Sequence, residues 1–425
     1  VLIVPAFPTL SETFVVSKFH GLLERGWDVH VACGRSEPRE WHRFSQLPYS
    51  SELLRRVHVG WRHRPRWLAA LGIPAALVRC LVRNPRGAWR YVQGGWRRFQ
   101  LDVFRRLYLD ADLVCLGPDL LHFEFGALAV DRMYLKDLLG CRVVVGFRGY
   151  DLNSVGLDNP DYYRQVWNTA DALHCLGEDL WRRAQLRGCP PETPHFLIPP
   201  AIDATFFDPG EKVHAEVLGS ADRPLRILSV GRLDWKKGYE YALEAVERLT
   251  GRGVNCEYRI IGDGDYLDAV TFARSQLGLE AIVELQGARP RQEVKAEMLW
   301  ADVFLHAAVS EGFCNAVMEA QAMAVPVVCS DAGGLPENVA SGETGFVVPR
   351  RDPDALAEKL LMLAGDPGLR HRMGQAGRRR VLARFRLADQ IAAFDRLYRE
   401  VLAMDRPARE KAYLEGAGRE AVLGK

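Results

Sequence analysis

Short unbroken apolar runs recur along the first half of the chain at Val1–Pro5, Val29–Cys33, Leu120–Glu124, Arg142–Phe147, Leu173–Leu176 and His195–Ile198. Runs of this length without polar alternation read as strands buried on both faces. Between them, Phe14–Glu24 and Leu68–Val82 place apolar residues three or four apart, the spacing of amphipathic helices. The pattern lapses over the polar stretch Thr205–Pro224, which holds Pro209-Gly210, and then restarts. Strands are expected at Arg226–Val230, Tyr258–Gly264, Ile282–Gly287, Ala301–His306, Pro326–Ser330 and Gly345–Val348, and helices at Tyr239–Leu249, Asn315–Ala324 and Asp352–Leu363. Strands alternating with helices predict two doubly wound, Rossmann-like α/β domains. Their expected bounds are 1–203 and 225–384, joined by a linker at 204–224. An amphipathic helix at 385–404 and a polar tail at 405–425 follow.

The chemistry concentrates in Ser310–Pro336, SEGFCNAVMEAQAMAVPVVCSDAGGLP. A strand here feeds a helix through Glu311-Gly312-Phe313, leaving unpaired N–H groups and a partial positive charge at a sheet edge. That is a seat for phosphate. Glu311 stands at the loop edge, and Glu319, about a turn into the helix, can accept hydrogen bonds from a diol. One phosphate seat flanked by two carboxylates fits a nucleotide sugar; the alternative is a helix with two solvated glutamates. Earlier, Gly231–Gly238 (GRLDWKKG) sets Arg232 and Lys237 on a strand-to-helix loop, placed to meet a diphosphate with a guanidinium fork and an ammonium. It is not a Walker loop, and Tyr258–Gly264 is not a dinucleotide fingerprint, because Leu267 takes the third glycine position.

At 425 residues and a formal net charge of +2, nothing global points to nucleic acid. Nine cysteines without a C-x-x-C pair argue against a zinc site or disulfide framework, and a reducing cytoplasm is expected. No apolar run approaches the roughly 20 residues of a membrane span. The chain opens inside a strand without methionine, as expected of a sequence trimmed at its start. Arg55–Arg106 changes the picture locally: thirteen arginines, with Trp61, Trp67, Trp89 and Trp96, stand against one acid, Asp102. Arginine with tryptophan suits an anionic membrane interface or a phosphorylated acceptor. The alternative is a solvated helical face with its tryptophans in the core.

E-x7-E followed by GGLPE resembles the donor site of retaining GT-B glycosyltransferases, the bacterial group called glycosyltransferase family 4. FPTLSETF resembles the first loop of its exopolysaccharide-type members, in which Ser11 and Thr13 would cap a helix facing the reaction centre. The resemblance implies that Gly231, Arg232 and Lys237 hold the leaving diphosphate. It further implies that Gly312, Phe313, Cys314, Asn315, Ala316 and Val317 orient the sugar with Glu311, and that Glu319 meets the ribose. Gly262 and Gly264 would let the nucleotide approach the backbone, Arg289 would stand at the base, and Gly333 and Gly334 near the sugar. HFEFG and FRGYDL resemble loops that in the family read H-x-H-[FY] and F-H-G-x-D. His122 is present, but Glu124 and Arg148 replace the usual histidines, leaving open which of the three serves on the amino-domain side. The family also implies a last helix crossing back to the first domain. No metal or cofactor is expected, since two cations can offset a departing diphosphate. The implied partners are a UDP-type donor and a saccharide, lipid-linked or small-molecule acceptor.

Overall fold

The computed structural model describes residues 1–9, 13–37, 41, 51–60, 66–210 and 217–404, excluding the side chains of 66–71. In the first lobe, β1 (Leu2–Ala6), β2 (Val31–Arg35), β3 (Val57–Val59), β4 (Leu120–Phe123), β5 (Arg142–Phe147), β6 (Ala172–Cys175) and β7 (His195–Leu197) form one sheet. Its order is β3-β2-β1-β4-β5-β6-β7, and every pairing is parallel. The second lobe holds β8 (Leu225–Val230), β9 (Cys256–Ile261), β10 (Val283–Gly287), β11 (Val303–His306), β12 (Val327–Ser330) and β13 (Gly345–Val348). These run β10-β9-β8-β11-β12-β13, again all parallel. Both sheets are doubly wound. The strand order reverses between β1 and β4 and between β8 and β11, opening crevices at the carboxyl ends of those strands.

Three features depart from the sequence expectation. The stretch after Ile202 is partly anchored: Ile202 N–H donates to Phe385 O at 2.9 Å, and Ile202 and Phe207 are buried in the second lobe's core. A helix at Pro367–Arg384 had no periodic signal. It carries six arginines and seats through glycine; a Cβ on Gly374 would lie 2.1 Å from the Ala324 carbonyl oxygen. Between β3 and β4 the basic segment folds into three helices, Arg66–Arg83, Pro85–Phe99 and Asp102–Leu116. Among the described residues, no helix is long and apolar enough to cross a membrane.

The last helix, Leu387–Ala403, crosses to the first lobe. Phe394, Leu397, Tyr398 and Val401 join Leu2, Val4, Val15 and Phe19 in one core, and Trp27 Nε1 donates to Asp395 at 2.7 Å.

Candidate active site

At the second lobe's switch point, β8 and β11 are adjacent, so the loops that follow them meet. The loop after β8 ends in a single 3-10 turn, Trp235–Lys237, capped by the Asp234 side chain. That turn presents the Lys237 ammonium to Glu311 Oε2 at 2.5 Å. His306, the last residue of β11, places Nε2 3.3 Å from the same oxygen and 3.5 Å from Cys314 Sγ. Glu311 Oε1 accepts from the Gly312 N–H at 3.2 Å. Burial alone would raise the Glu311 carboxyl, but Lys237 and His306 bring it down to about 2. Burial opposes charge on His306, yet Cys314 and Glu311 beside it carry it up to about 9. Burial likewise opposes charge on Lys237, and Glu311 raises it above the ordinary lysine value. Arg232 stands exposed in the same loop, without a side-chain partner among the described residues.

Cys314 precedes the helix Asn315–Ala322, and its N–H already donates to Asn338 Oδ1 at 3.1 Å. Among the described residues no acceptor meets the N–H groups of Asn315, Ala316 and Val317, the opening turn of that helix. Glu319, further along, makes no side-chain hydrogen bond among the described residues, and burial pushes it up to about 7. Phe313 packs on Phe385, with ring centres 5.8 Å apart. Arg289 is turned to Glu293 at 3.3 Å on the surface.

The glycines lie close against the chain's own backbone. A Cβ on Gly262 would lie 1.8 Å from Gly231 O, and one on Gly264 2.2 Å from Leu233 O. The space they leave is therefore filled by the chain's own β8 loop. Gly333 and Gly334 in turn leave room for the carbonyl oxygens of Glu311 and Gly312, which would meet a Cβ at 1.9 and 2.0 Å. These four shape the loops that carry Arg232 and Glu311.

On the first lobe, His122, Glu124 and Arg148 come together around a residue the sequence reading missed, Lys18. Its ammonium lies 2.5 Å from Glu124 Oε1, 2.9 Å from His122 Nδ1 and 3.7 Å above the Phe394 ring. Glu124 Oε2 accepts from Arg148 at 2.9 Å, and the Arg148 guanidinium stacks on Phe14 at 4.3 Å. His122 is fully buried, with Tyr398 Oη 2.7 Å from Nδ1. Burial, Lys18 and Arg148 hold it well below the ordinary histidine range. The histidine that the resemblance turns towards the sugar is thus enclosed in this structure. Glu124 is equally enclosed; of the three, only Arg148 keeps a partly exposed side chain. Ser11 lies outside the described residues.

The chain is 34% identical over 375 residues to the amylovoran biosynthesis glycosyltransferase AmsK of Erwinia amylovora, covering 84% of this chain and 88% of AmsK. It is 30% identical over 383 residues to the protein named as the colanic acid biosynthesis glycosyltransferase WcaL of Escherichia coli (strain K12), covering 83% and 87%. The family model described as glycosyl transferases group 1 matches residues 211–380. The chain belongs to the group 1 glycosyltransferases. Its fold is that of GT-B structures such as Anabaena HepE in complex with UDP, with TM-score 0.68, 14% identity, and coverage of 94% of this chain and 98% of HepE.

In this group 1 glycosyltransferase the two lobes touch directly at the crevice. A Cβ on Gly149 would lie 2.8 Å from Gly312 N, and Asn153 Nδ2 donates to Ser310 Oγ at 3.1 Å. Glu337 accepts from the N–H groups of Glu178 and Asp179 at 2.9 Å each. It thereby caps Glu178–Leu186 on the opposite lobe. His306, Lys18 and this cross-lobe role of Glu337 had no sequence signal beyond a lysine on the apolar face of the first helix. The sequence also holds Asp-x-Asp spacings at 110–112, 263–265 and 352–354. The expectation of metal independence therefore rests on the cations alone.

Proposed function

We propose that the chain transfers a hexose-type sugar from a nucleoside diphosphate donor, UDP by preference, to a saccharide or lipid-linked acceptor in polysaccharide assembly, with retention of configuration. The observation that carries this reading is Lys237, held by Glu311 at the switch point beside Arg232, which is unpartnered among the described residues. The bond from the anomeric carbon to the β-phosphate oxygen breaks as the acceptor oxygen bonds that carbon on the same face. The acceptor proton passes to a donor phosphate oxygen, and the nucleoside diphosphate leaves. Arg232 and Lys237 stabilise its developing charge without a metal, while Glu311 and the N–H groups of Asn315–Val317 orient the sugar and Glu319 meets the ribose. AmsK and WcaL, named for amylovoran and colanic acid biosynthesis, support the polysaccharide context. HepE with UDP supports the donor.

Thermal shift with UDP-, GDP- and dTDP-sugars tests the donor. A UDP-sugar at about 100 times its Kd is expected to stabilise the wild type by about 2.7 kcal/mol, and Lys237→Ala is expected to lose most of this. Turnover of Lys237→Ala should fall roughly 10²- to 10³-fold. Stabilisation by no nucleotide sugar would sink the reading. Nucleotide release with no acceptor product would favour a GT-B sugar-nucleotide epimerase, and donor binding without turnover a silent assembly partner.

The three-helix insert would supply membrane contact. Val82 and Trp89 are 76% and 67% exposed, with Val78, Leu81, Trp96 and Leu101 also open. Arg83, Arg86 and Arg97 stand among them. Cosedimentation with vesicles containing about a third phosphatidylglycerol should be lost at high salt and in Trp89→Ala with Val82→Asp. Equal binding to neutral vesicles would refute an anionic leaflet as partner.

A further inference from the structure

Two large aromatic rings stand open to solvent at the crevice rim, and the donor chemistry uses neither. Tyr150 follows Gly149 on the first lobe and is 61% exposed; Trp235 precedes Lys237 by two residues on the second and is 55% exposed. The inter-lobe contacts bring their backbones to one rim. Gly149 lies against Gly312, Asn153 donates to Ser310, and the N–H groups of Val309 and Ser310 both donate to Lys236 O, at 2.8 and 3.3 Å. From between them the Lys236 ammonium reaches across the lobes to 5.4 Å from the centre of the Tyr150 ring. It also lies 3.5 Å from the Asp234 carboxylate.

Uncovered aromatic faces are apolar and carry negative charge at their centres. The C–H face of a pyranose is apolar with weakly positive hydrogens, so it lies flat on such a ring while its hydroxyls reach sideways to polar groups. Lys236, over the Tyr150 ring, and Asp234 beside it supply a donor and an acceptor there, and their opposite charges cancel, which favours a neutral sugar over a uronate or a phosphate. The position matches an acceptor rather than the donor. The donor cations and Glu319 belong to the second lobe alone, whereas Tyr150 comes from the first.

We infer that Tyr150 and Trp235 form a stacking subsite for a neutral hexopyranose residue of the acceptor saccharide, edged by Lys236 and Asp234. The inference rests on the glycosyltransferase reading proposed above and names the acceptor class.

Saturation-transfer NMR on the full chain tests it, with methyl glycosides of glucose, galactose and mannose as probes in the presence of UDP, alongside UDP titration by calorimetry. The expected result is transfer to the ring C–H protons of at least one glycoside in the wild type. Binding should weaken roughly two- to tenfold in Tyr150→Ala and in Trp235→Ala, and be retained in Tyr150→Phe, with UDP affinity unchanged. Absence of transfer to all three glycosides, or transfer that both alanine variants leave intact, overturns the subsite. Weakened binding of UDP-glucose but not of the glycosides in these variants would assign the rings to the donor and also overturn it. Failure of the wild type to bind any nucleotide, with glycoside binding still lost in the variants, would remove the donor reading and leave this one standing.

Discussion

Glu311, paired with Lys237 and His306, is held near 2, whereas Glu319, half-buried and without a hydrogen-bond partner among the described residues, is pushed up to about 7. A carboxyl raised in the fold costs nothing below its ordinary 4.5, progressively more from there to about 7, and no more beyond. A ribose diol donating to it would favour the ionised form. UDP affinity should therefore tighten about tenfold more between pH 6 and 8 in the wild type than in Glu319→Gln. Calorimetry giving parallel pH profiles for both proteins would remove Glu319 from the ribose. The carboxylate spacing and the two cations were legible because each lies in a short segment with a local reason. His306 was not: as the last letter of an apolar run it reads as a strand residue. Only the fold brings it within 3.3 Å of Glu311.

The first helix, Thr13–Glu24, buries Val15, Val16, Phe19 and Leu22, with Lys18 among them. Burial lowers that lysine to about 8, while Glu124 opposes the shift. Removing one member of a buried ion pair leaves the other uncompensated. Lys18→Met should thus cost about 3–5 kcal/mol in urea unfolding, and adding Glu124→Gln should recover much of it. A Lys18→Met protein of wild-type midpoint would show that Arg148 alone suffices for Glu124. Most strands and helices could be read from apolar periodicity, though β2 begins two residues later than expected and β3 was missed. The helix Pro367–Arg384 gave no stripe, because Gly374 and Gly377 form its contact with Ala324 and Gln321.

Across the whole molecule, the two doubly wound α/β lobes were foreseen, while the contacts that hold them together were not. Long-range pairs such as Glu337 with Asp179 leave no periodic trace. Two hydrogen bonds to a carboxylate at about 1.5–3 kcal/mol each make Glu337 a strong clasp. Glu337→Ala should widen the ligand-free molecule in X-ray scattering and raise the KM for donor roughly tenfold or more, with secondary structure unchanged. Identical scattering profiles would show that Gly149 and Gly312 close the crevice by themselves. The helix Leu387–Ala403 has its own consequence for biosynthesis. Phe394, Leu397, Tyr398 and Val401 complete a core begun by Leu2 and Val4, so strands made early must wait for a helix made nearly 400 residues later. On the ribosome the second lobe should become protease-resistant before the first. A nascent chain halted before Leu387 should expose β1 and its neighbours to cleavage and to chaperones until synthesis resumes.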